Sequence, residues 1–317
     1  LEIALAKRSK TTALEALSSL TRDADASQRW RLVGWLAVVF IPFLAGGMLS
    51  NASQLLSTYT STVLQTNLLF VGLALAAFAI SCVSRQIIVV LTAIAVIASI
   101  ILANTAGSTL PEWTVTPLIF GEWANATILA LVASGLGMGI YWQSSLAIVK
   151  TEDVATKTAL PIWIAQLLAV VAFGFFAAQA QIPAFALIFA VVTSAALVLQ
   201  LAREQLAQRK INIAIQWLIL VIATLLWAIP TIAPIFNVVL ILWGLAICFI
   251  YAIFVGWIMK ISHLRKALNF KSEAIYNIWR IAVRIVLPLS IIVAIVSSEG
   301  INLSVLDNVQ MHTILCW

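Results

Sequence analysis

The sequence predicts an all-α fold, a polytopic bundle of transmembrane helices with a cytoplasmic N-terminus and an external C-terminus. Three observations lead to this prediction. Only 9% of the 317 residues are charged, 63% are apolar, and the mean hydropathy is +1.08. Nine apolar runs are long enough to cross a bilayer, and the basic residues fall on one side of them. A soluble domain carries roughly 25% charged residues, so this surface requires a lipid solvent.

The same composition excludes several classes of protein. A soluble enzyme, a nucleic-acid-binding protein, a secreted disulfide scaffold and a disordered tail all need more polar or more cysteine-rich sequences. The three cysteines, Cys82, Cys248 and Cys316, form no CxxC motif and have no spacing typical of a metal site. The basic isoelectric point therefore has to be explained by membrane topology.

The nine apolar runs define the predicted transmembrane spans. Each is near the length of about 20 residues that a helix needs to cross the hydrocarbon core. Charged residues, proline and polar turn residues separate them. The predicted spans are 32–50, 66–83, 87–103, 126–149, 159–179, 184–202, 211–229, 236–259 and 281–298.

The distribution of Lys and Arg orients these spans. With the N-terminus inside, every one of the 18 basic residues falls in a cytoplasmic segment or at its edge, as cytoplasmic loops retain them. The opposite loops contain only acids, namely Glu112, Glu122, Glu299 and Asp307. We therefore expect a multi-pass integral protein of the bacterial inner (cytoplasmic) membrane.

The chain divides into four predicted segments. Residues 1–31 form a cytoplasmic amphipathic segment that lies on the membrane or on a partner, or is simply a solvated lead-in helix. Residues 32–235 form a seven-span region of helical hairpins. Residues 236–306 form a hairpin with a basic loop. Residues 307–317 form an external tail or the start of a further segment.

The spans contain almost no ionisable groups, which usually mark catalytic or proton-relay sites inside membranes. His263 and His312 have no carboxylate or cysteine at ligand spacing. We therefore predict no catalytic residue, no cofactor site and no metal site, and a protein that is not an enzyme.

One span contains a glycine-rich run, SGLGMG, with Gly135, Gly137 and Gly139 followed by Gln143. Small residues let two helices approach closely, so a packing seam is one interpretation. The alternative is a broken helix that lines a solute path, since interrupted helices expose polar backbone groups. Gln166 in the next span is open to the same two interpretations.

Basic and aromatic residues after the eighth span form the second candidate site. Arg265, Lys266, Trp279, Arg280 and Arg284 lie where the cytoplasmic loop meets the last span. Arginine and lysine bind lipid phosphates at this depth, and tryptophan favours the interface. These five residues are predicted to anchor the protein to lipid headgroups.

This region resembles the part of small-conductance mechanosensitive channels that leads into the pore. The match rests on a descending apolar helix, the basic linker MKISHLRKALNFKSEAIYNIWRIAVR, a rising helix and an external turn, SSEGINLSVL. Arg265 and Lys266 match the basic pair of the family's loop, Arg284 its early arginine, and Gly300 with Ile301 its external turn. The family's pore helix is rich in glycine and alanine, which residues 301–317 lack.

The resemblance implies a channel subunit of the mechanosensitive type, with these spans as a lipid-facing tension sensor. Two alternatives remain open: a carrier for an uncharged, zwitterionic or lipid-like solute, and a non-catalytic accessory subunit of a larger membrane complex. The expected partners are membrane lipids and further subunits, as a homo-oligomer or within a larger complex. No nucleic-acid partner is expected.

Overall fold

The described part of the chain forms helices and no strands. A computed structural model describes residues 1–59, 66–105, 117, 119–133, 139, 142, 155–171, 184–229, 232–270 and 272–297. The helices in chain order are α1 (Glu2–Ser9), α2 (Ala13–Asp23), α3 (Arg31–Tyr59), α4 (Thr66–Ser81), α5 (Arg85–Thr105), α6 (Phe120–Ala133), α7 (Ala155–Val171), α8 (Ala184–Gln208), α9 (Ile213–Leu225), α10 (Ala233–Ile253), α11 (Ile261–Leu268), α12 (Glu273–Ile281) and α13 (Leu287–Ser297). A π-helical turn, Phe254–Ile258, ends α10, and a second, Ala282–Val286, joins α12 to α13.

The described helices support a membrane protein but not the count of nine spans. Five segments are long and apolar enough to cross a membrane: Gln28–Ser57, Arg85–Leu102, Phe185–Gln208, Ala233–Ile258 and Glu273–Ser297. Thr66–Ser81 and Ile213–Ala228 are apolar but shorter. These two helices end two residues and one residue before the predicted runs 66–83 and 211–229 end, whereas α3, α5 and α8 are longer than the runs predicted for them. The predicted runs 126–149 and 159–179 extend outside the described residues.

Helices α3 and α8 lie at the centre of the bundle. Their span windows are 67% and 61% buried, whereas those of Arg85–Leu102 and Glu273–Ser297 are 17% and 22% buried. A close approach of α3 to α9 contributes to this core. A Cβ on Gly46 would lie 2.5 Å from Trp227 and 2.8 Å from the Thr224 carbonyl, so only glycine fits there. The outer helices expose aliphatic side chains, as a lipid-facing surface requires.

The N-terminal segment packs inside the protein. Ala4, Leu5 and Ala6 of α1 are buried, and α1 lies against α11 and α7. The apolar face of α2, which includes Leu17 and Leu20, packs on α3. The sequence predicts this amphipathic pattern on a membrane or partner surface. In the structure, helices of the same chain cover the apolar faces of α1 and α2.

Segments that the sequence predicts to be cytoplasmic lie together. Lys260 pairs with Asp25 at 3.7 Å, and Arg85 pairs with Glu204 at 3.6 Å. A single cluster of buried apolar side chains includes residues from 1–31, from 32–235 and from 236–306. These three predicted segments therefore share one core.

Candidate functional site

A buried carboxylate at the start of α1 organises the candidate site. The Glu2 side chain accepts hydrogen bonds from the backbone N–H groups of Gly139, at 3.2 Å, and of Trp142, at 2.8 Å. Glu2 is only 2% exposed. Burying a carboxylate is costly unless hydrogen bonds replace its water, and bonds to an ionised acceptor are the stronger kind. Glu2 therefore fixes the backbone of a segment 137 residues away in the chain.

Gly139 has a backbone conformation that a right-handed helix does not adopt. Its φ is +81°, a value that disfavours any residue with a Cβ. A Cβ there would also lie 3.2 Å from the amide atoms of Gln205. The Gly139 carbonyl accepts a hydrogen bond of 3.4 Å from Gln205 Nε2. Both backbone polar groups of Gly139 are thus bonded to buried side chains.

Trp142 links the same segment to the N-terminal helices. Its side chain is fully buried, and its indole N–H donates a hydrogen bond of 2.7 Å to the Thr11 carbonyl. Thr11 lies between α1 and α2, so this bond adds a second connection to the one through Glu2. We refer to Glu2, Gly139, Trp142 and Gln205 as the Glu2 centre.

Two buried side chains, one in the Glu2 centre and one on α10, have a polar atom without a bonded partner in the described part of the chain. Gln205 Oε1 is one of these, and the hydroxyl of Tyr251 on α10 is another. Both residues are 1% exposed or less. Tyr251 belongs to the same buried apolar cluster as Ala4 and Leu5 of α1, the helix that begins with Glu2. A buried polar atom with unused bonding capacity needs a water or ligand partner.

The structure partly describes the glycine-rich candidate. Gly139 is in the Glu2 centre, whereas Gly135, Gly137 and Gln143 lie outside the described residues. Gln166 is half-buried on α7, a helix that packs against α1. The sequence pattern makes Gly139 a candidate, a role that stays a prediction, and gives no such indication for Glu2 or Gln205. One feature of the sequence could have pointed to Glu2. The chain has only 12 acidic residues, and this one directly precedes an apolar run, where burial is expected.

The basic candidate residues separate into two groups. Arg265 donates a hydrogen bond to Glu273 at 3.0 Å, and its guanidinium lies 4.9 Å from the Tyr276 ring centroid. Arg280 lies 6.0 Å from the same ring. Trp279 packs beside Tyr276, with ring centroids 6.3 Å apart. Lys266 is exposed next to Arg265.

Arg284 is in the second group, between the two π-helical turns. Its Nε donates a hydrogen bond of 2.5 Å to the Gly256 carbonyl. In return, the Trp257 indole N–H donates one of 3.2 Å to the Arg284 carbonyl. A π-helical turn leaves carbonyls without their usual helical donors, and here a side chain supplies one. The lipid-anchoring role of all five residues stays a prediction.

The comparisons with known proteins identify a fold. No family model matches the chain, and no curated protein matches its sequence. Among solved structures, the chain is similar to the crystal structure of MhsT in complex with L-phenylalanine. The TM-score is 0.61 and the sequence identity 15%, and the match covers 94% of this chain and 87% of that chain. The chain and that structure therefore share an overall fold.

This similarity corrects the resemblance to mechanosensitive channels. MhsT is a transporter with the neurotransmitter:sodium symporter fold, and the match covers nearly the whole chain, whereas the channel resemblance covered 236–306. Two apolar helices joined by a basic loop occur wherever a hairpin turns on the cytoplasmic side of a membrane, because the positive-inside rule places cations there. The charge pattern of residues 259–284 therefore indicates membrane topology and does not identify a protein family.

Proposed function

We propose that this protein is a membrane carrier for a small zwitterionic solute with an apolar side chain, of the amino-acid class. The observation that carries the proposal is the backbone of Gly139, which departs from helical geometry and is held by Glu2 and Gln205. Secondary transporters bind solutes beside interrupted helices. The N–H and carbonyl of Gly139 are already bonded, so the polar atoms left to bind a solute are Gln205 Oε1 and the Tyr251 hydroxyl.

The electrostatics of the region support a solute without net charge. Glu2 is bonded to two backbone N–H groups, so its carboxylate has partners within the protein. The unused polar atoms of Gln205 and Tyr251 are neutral groups, which suit hydrogen bonding more than charge neutralisation. A solute of net charge would need a counter-charge inside the protein, and neither of these neutral groups supplies one.

The fold supports the same solute class. MhsT was crystallised with L-phenylalanine, a zwitterion with an aromatic side chain. The chain has a fold similar to that transporter, and a carrier for a solute of this class was one of the functions that the sequence left open. The proposed activity moves the solute without covalent change, so we also propose that the protein is not an enzyme.

Counterflow in proteoliposomes tests this function. Purified protein is reconstituted into vesicles preloaded with unlabelled L-phenylalanine, and labelled L-phenylalanine is added outside. We expect saturable accumulation that excess leucine or tryptophan reduces and that lysine or glutamate does not. Mass spectrometry of the transported solute should show it unchanged. A folded, monodisperse protein that catalyses no counterflow of any neutral amino acid would overturn the proposal.

A control variant separates the Glu2 centre from general damage. Glu2→Ala removes the carboxylate that holds Gly139, and we expect it to abolish counterflow. Glu15→Ala removes an exposed carboxylate from the neighbouring helix α2 and should leave counterflow unchanged. Equal activity of the two variants would show that the Glu2 centre has no part in transport.

A further inference from the structure

A cleft at the N-terminal end of α12 is lined by none of the residues of the Glu2 centre. It has a volume of about 520 Å³ and opens between the end of α11 and the start of α12. Its lining combines two cations, two aromatic rings and the first residues of a helix: Arg265, Lys266, Phe270, Ser272, Glu273 and Tyr276. We refer to these six residues as the basic pocket.

The charge of the basic pocket favours an anion. Arg265 and Lys266 are exposed and supply two positive charges, of which Glu273 neutralises one through its pair with Arg265. Arg280 lies beyond the buried Tyr276 ring and adds a third cation to the neighbourhood. Arginine binds phosphate oxygens through its planar fork, and lysine adds a mobile point charge. A phosphate group fits both.

The surface next to the basic pocket favours a lipid as the source of that phosphate. Ile278, Ile285, Leu289, Ile292 and Val296 are each at least 48% exposed. They follow one another at intervals of seven, four, three and four residues along α12, the π-helical turn Ala282–Val286 and α13, and form an exposed aliphatic stripe. The stripe begins five residues after Glu273 and is about 27 Å long at 1.5 Å per residue. That length is close to the hydrocarbon thickness of about 30 Å.

We propose that the basic pocket binds the phosphate of an anionic phospholipid whose acyl chains lie along the exposed stripe of α12 and α13. Arg265 and Lys266 contact the phosphate, and the Phe270 and Tyr276 rings support the glycerol region at the interface. This site is separate from the solute path, and it stands whether or not the carrier function does.

Native mass spectrometry of the detergent-solubilised full chain tests the site. The protein is titrated with phosphatidylglycerol or with phosphatidylcholine, which share acyl chains but differ in net charge. We expect phosphatidylglycerol to bind more tightly. Each cation near an anionic headgroup contributes about fivefold to affinity, so Arg265→Gln with Lys266→Gln should weaken phosphatidylglycerol binding about 25-fold. Phosphatidylcholine binding should not change.

A matched pair of cations gives the control. Arg209 and Lys210 are also adjacent and exposed, in the turn between α8 and α9, and they do not line the basic pocket. Arg209→Gln with Lys210→Gln removes the same charge, and we expect binding within twofold of the unaltered protein. An equal loss in both pairs would show a general charge effect and overturn the site.

Two further measurements complete the test. Glu273→Gln frees Arg265 from its ion pair, so it should strengthen phosphatidylglycerol binding about fivefold, which a merely unfolded variant would not do. Inorganic phosphate in millimolar excess should not displace the lipid, because it lacks the acyl chains that contact the stripe. Displacement by inorganic phosphate would identify a site for a free anion and overturn the lipid assignment.

Discussion

The Glu2 centre and the basic pocket both contain a charged side chain near a helix end, yet burial makes them different kinds of site. Glu2 is 2% exposed and bonds to backbone N–H groups. The side chains of Arg265 and Glu273 are 54% and 71% exposed and bond to each other. A buried charge must keep its partners, whereas an exposed pair exchanges them with water at small cost. The first therefore fixes backbone geometry, and the second is available to a ligand.

Removing the Glu2 carboxylate should have the largest effect of any change discussed here. Glu2→Ala leaves the N–H groups of Gly139 and Trp142 buried without an acceptor. Each unsatisfied group costs about 1–3 kcal/mol, so for the two groups we expect the free energy of unfolding to fall by about 2–6 kcal/mol. Thermal unfolding in detergent measures this loss.

The amide variant Glu2→Gln refines that prediction. The glutamine side chain keeps one carbonyl acceptor but directs an NH₂ donor at the second backbone N–H. We therefore expect a free energy of unfolding between that of the unaltered protein and that of Glu2→Ala. If Glu2→Ala unfolds at the same temperature as the exposed control Glu15→Ala, the buried hydrogen bonds do not hold the segment, and the contrast between the two sites disappears.

Gly139 gives the next largest effect. Gly139→Ala forces a residue with a Cβ into a left-handed conformation, which costs about 1–2 kcal/mol, and crowds Gln205. Gly72→Ala is the matched control, because Gly72 lies within α4 with nothing within 4 Å of an added Cβ. Alanine is the better helix former by about 1 kcal/mol, so Gly72→Ala should keep or raise stability. Counterflow rates and unfolding temperatures separate the two variants.

An unfolding temperature for Gly139→Ala equal to or above that of Gly72→Ala would contradict the assigned backbone. It would mean that residue 139 continues a right-handed helix. The interpretation of SGLGMG as a packing seam would then replace that of an interrupted helix.

The sequence predicts the helices well where apolar runs and turn residues agree. The run 184–202 is found within α8, and the run 236–259 covers most of α10 and its π-helical turn. The sequence could not predict the Glu2 centre, because its hydrogen bonds join residues 66 to 140 apart in the chain. In addition, Glu2 lies in a segment whose polar pattern suggests a solvated helix. Periodicity reports which face of a helix is apolar but not which surface covers it.

The same limitation explains the incorrect family resemblance. Charge placement in 259–284 is set by the membrane and recurs in unrelated proteins, whereas the fold is set by how α3 and α8 pack with their neighbours. Composition counts only side chains, so the scarcity of charge in the spans says nothing about the backbone polar groups that an interrupted helix exposes.

Gln205 should show a smaller effect on stability than on transport. Gln205→Leu removes the donor to the Gly139 carbonyl, a bond of 3.4 Å, but also removes a buried oxygen without a described partner. These effects oppose each other, so we expect the free energy of unfolding to change by about 1 kcal/mol or less. The KM for counterflow should rise, since a polar contact near the proposed solute path is lost.

The exposed Gln208 on the same helix is the control for the different effects expected on stability and on KM. Gln208→Leu should change neither stability nor KM. If Gln205→Leu lowers stability strongly at unchanged KM, Gln205 is a structural residue only, and the unused capacity of its amide has no role in binding solute.

Glu273 should show the smallest effect on stability, and this is where the contrast between buried and exposed charge is sharpest. Exposed ion pairs contribute about 0–1 kcal/mol, so Glu273→Gln should leave the unfolding temperature nearly unchanged in a zwitterionic detergent. Added phosphatidylglycerol should then stabilise the variant more than the unaltered protein, because Arg265 is free to bind the lipid phosphate. A loss of stability as large as that of Glu2→Ala would mean that the pair with Arg265 holds the start of α12 in place. The basic pocket would then be a structural contact, of the same kind as the Glu2 centre.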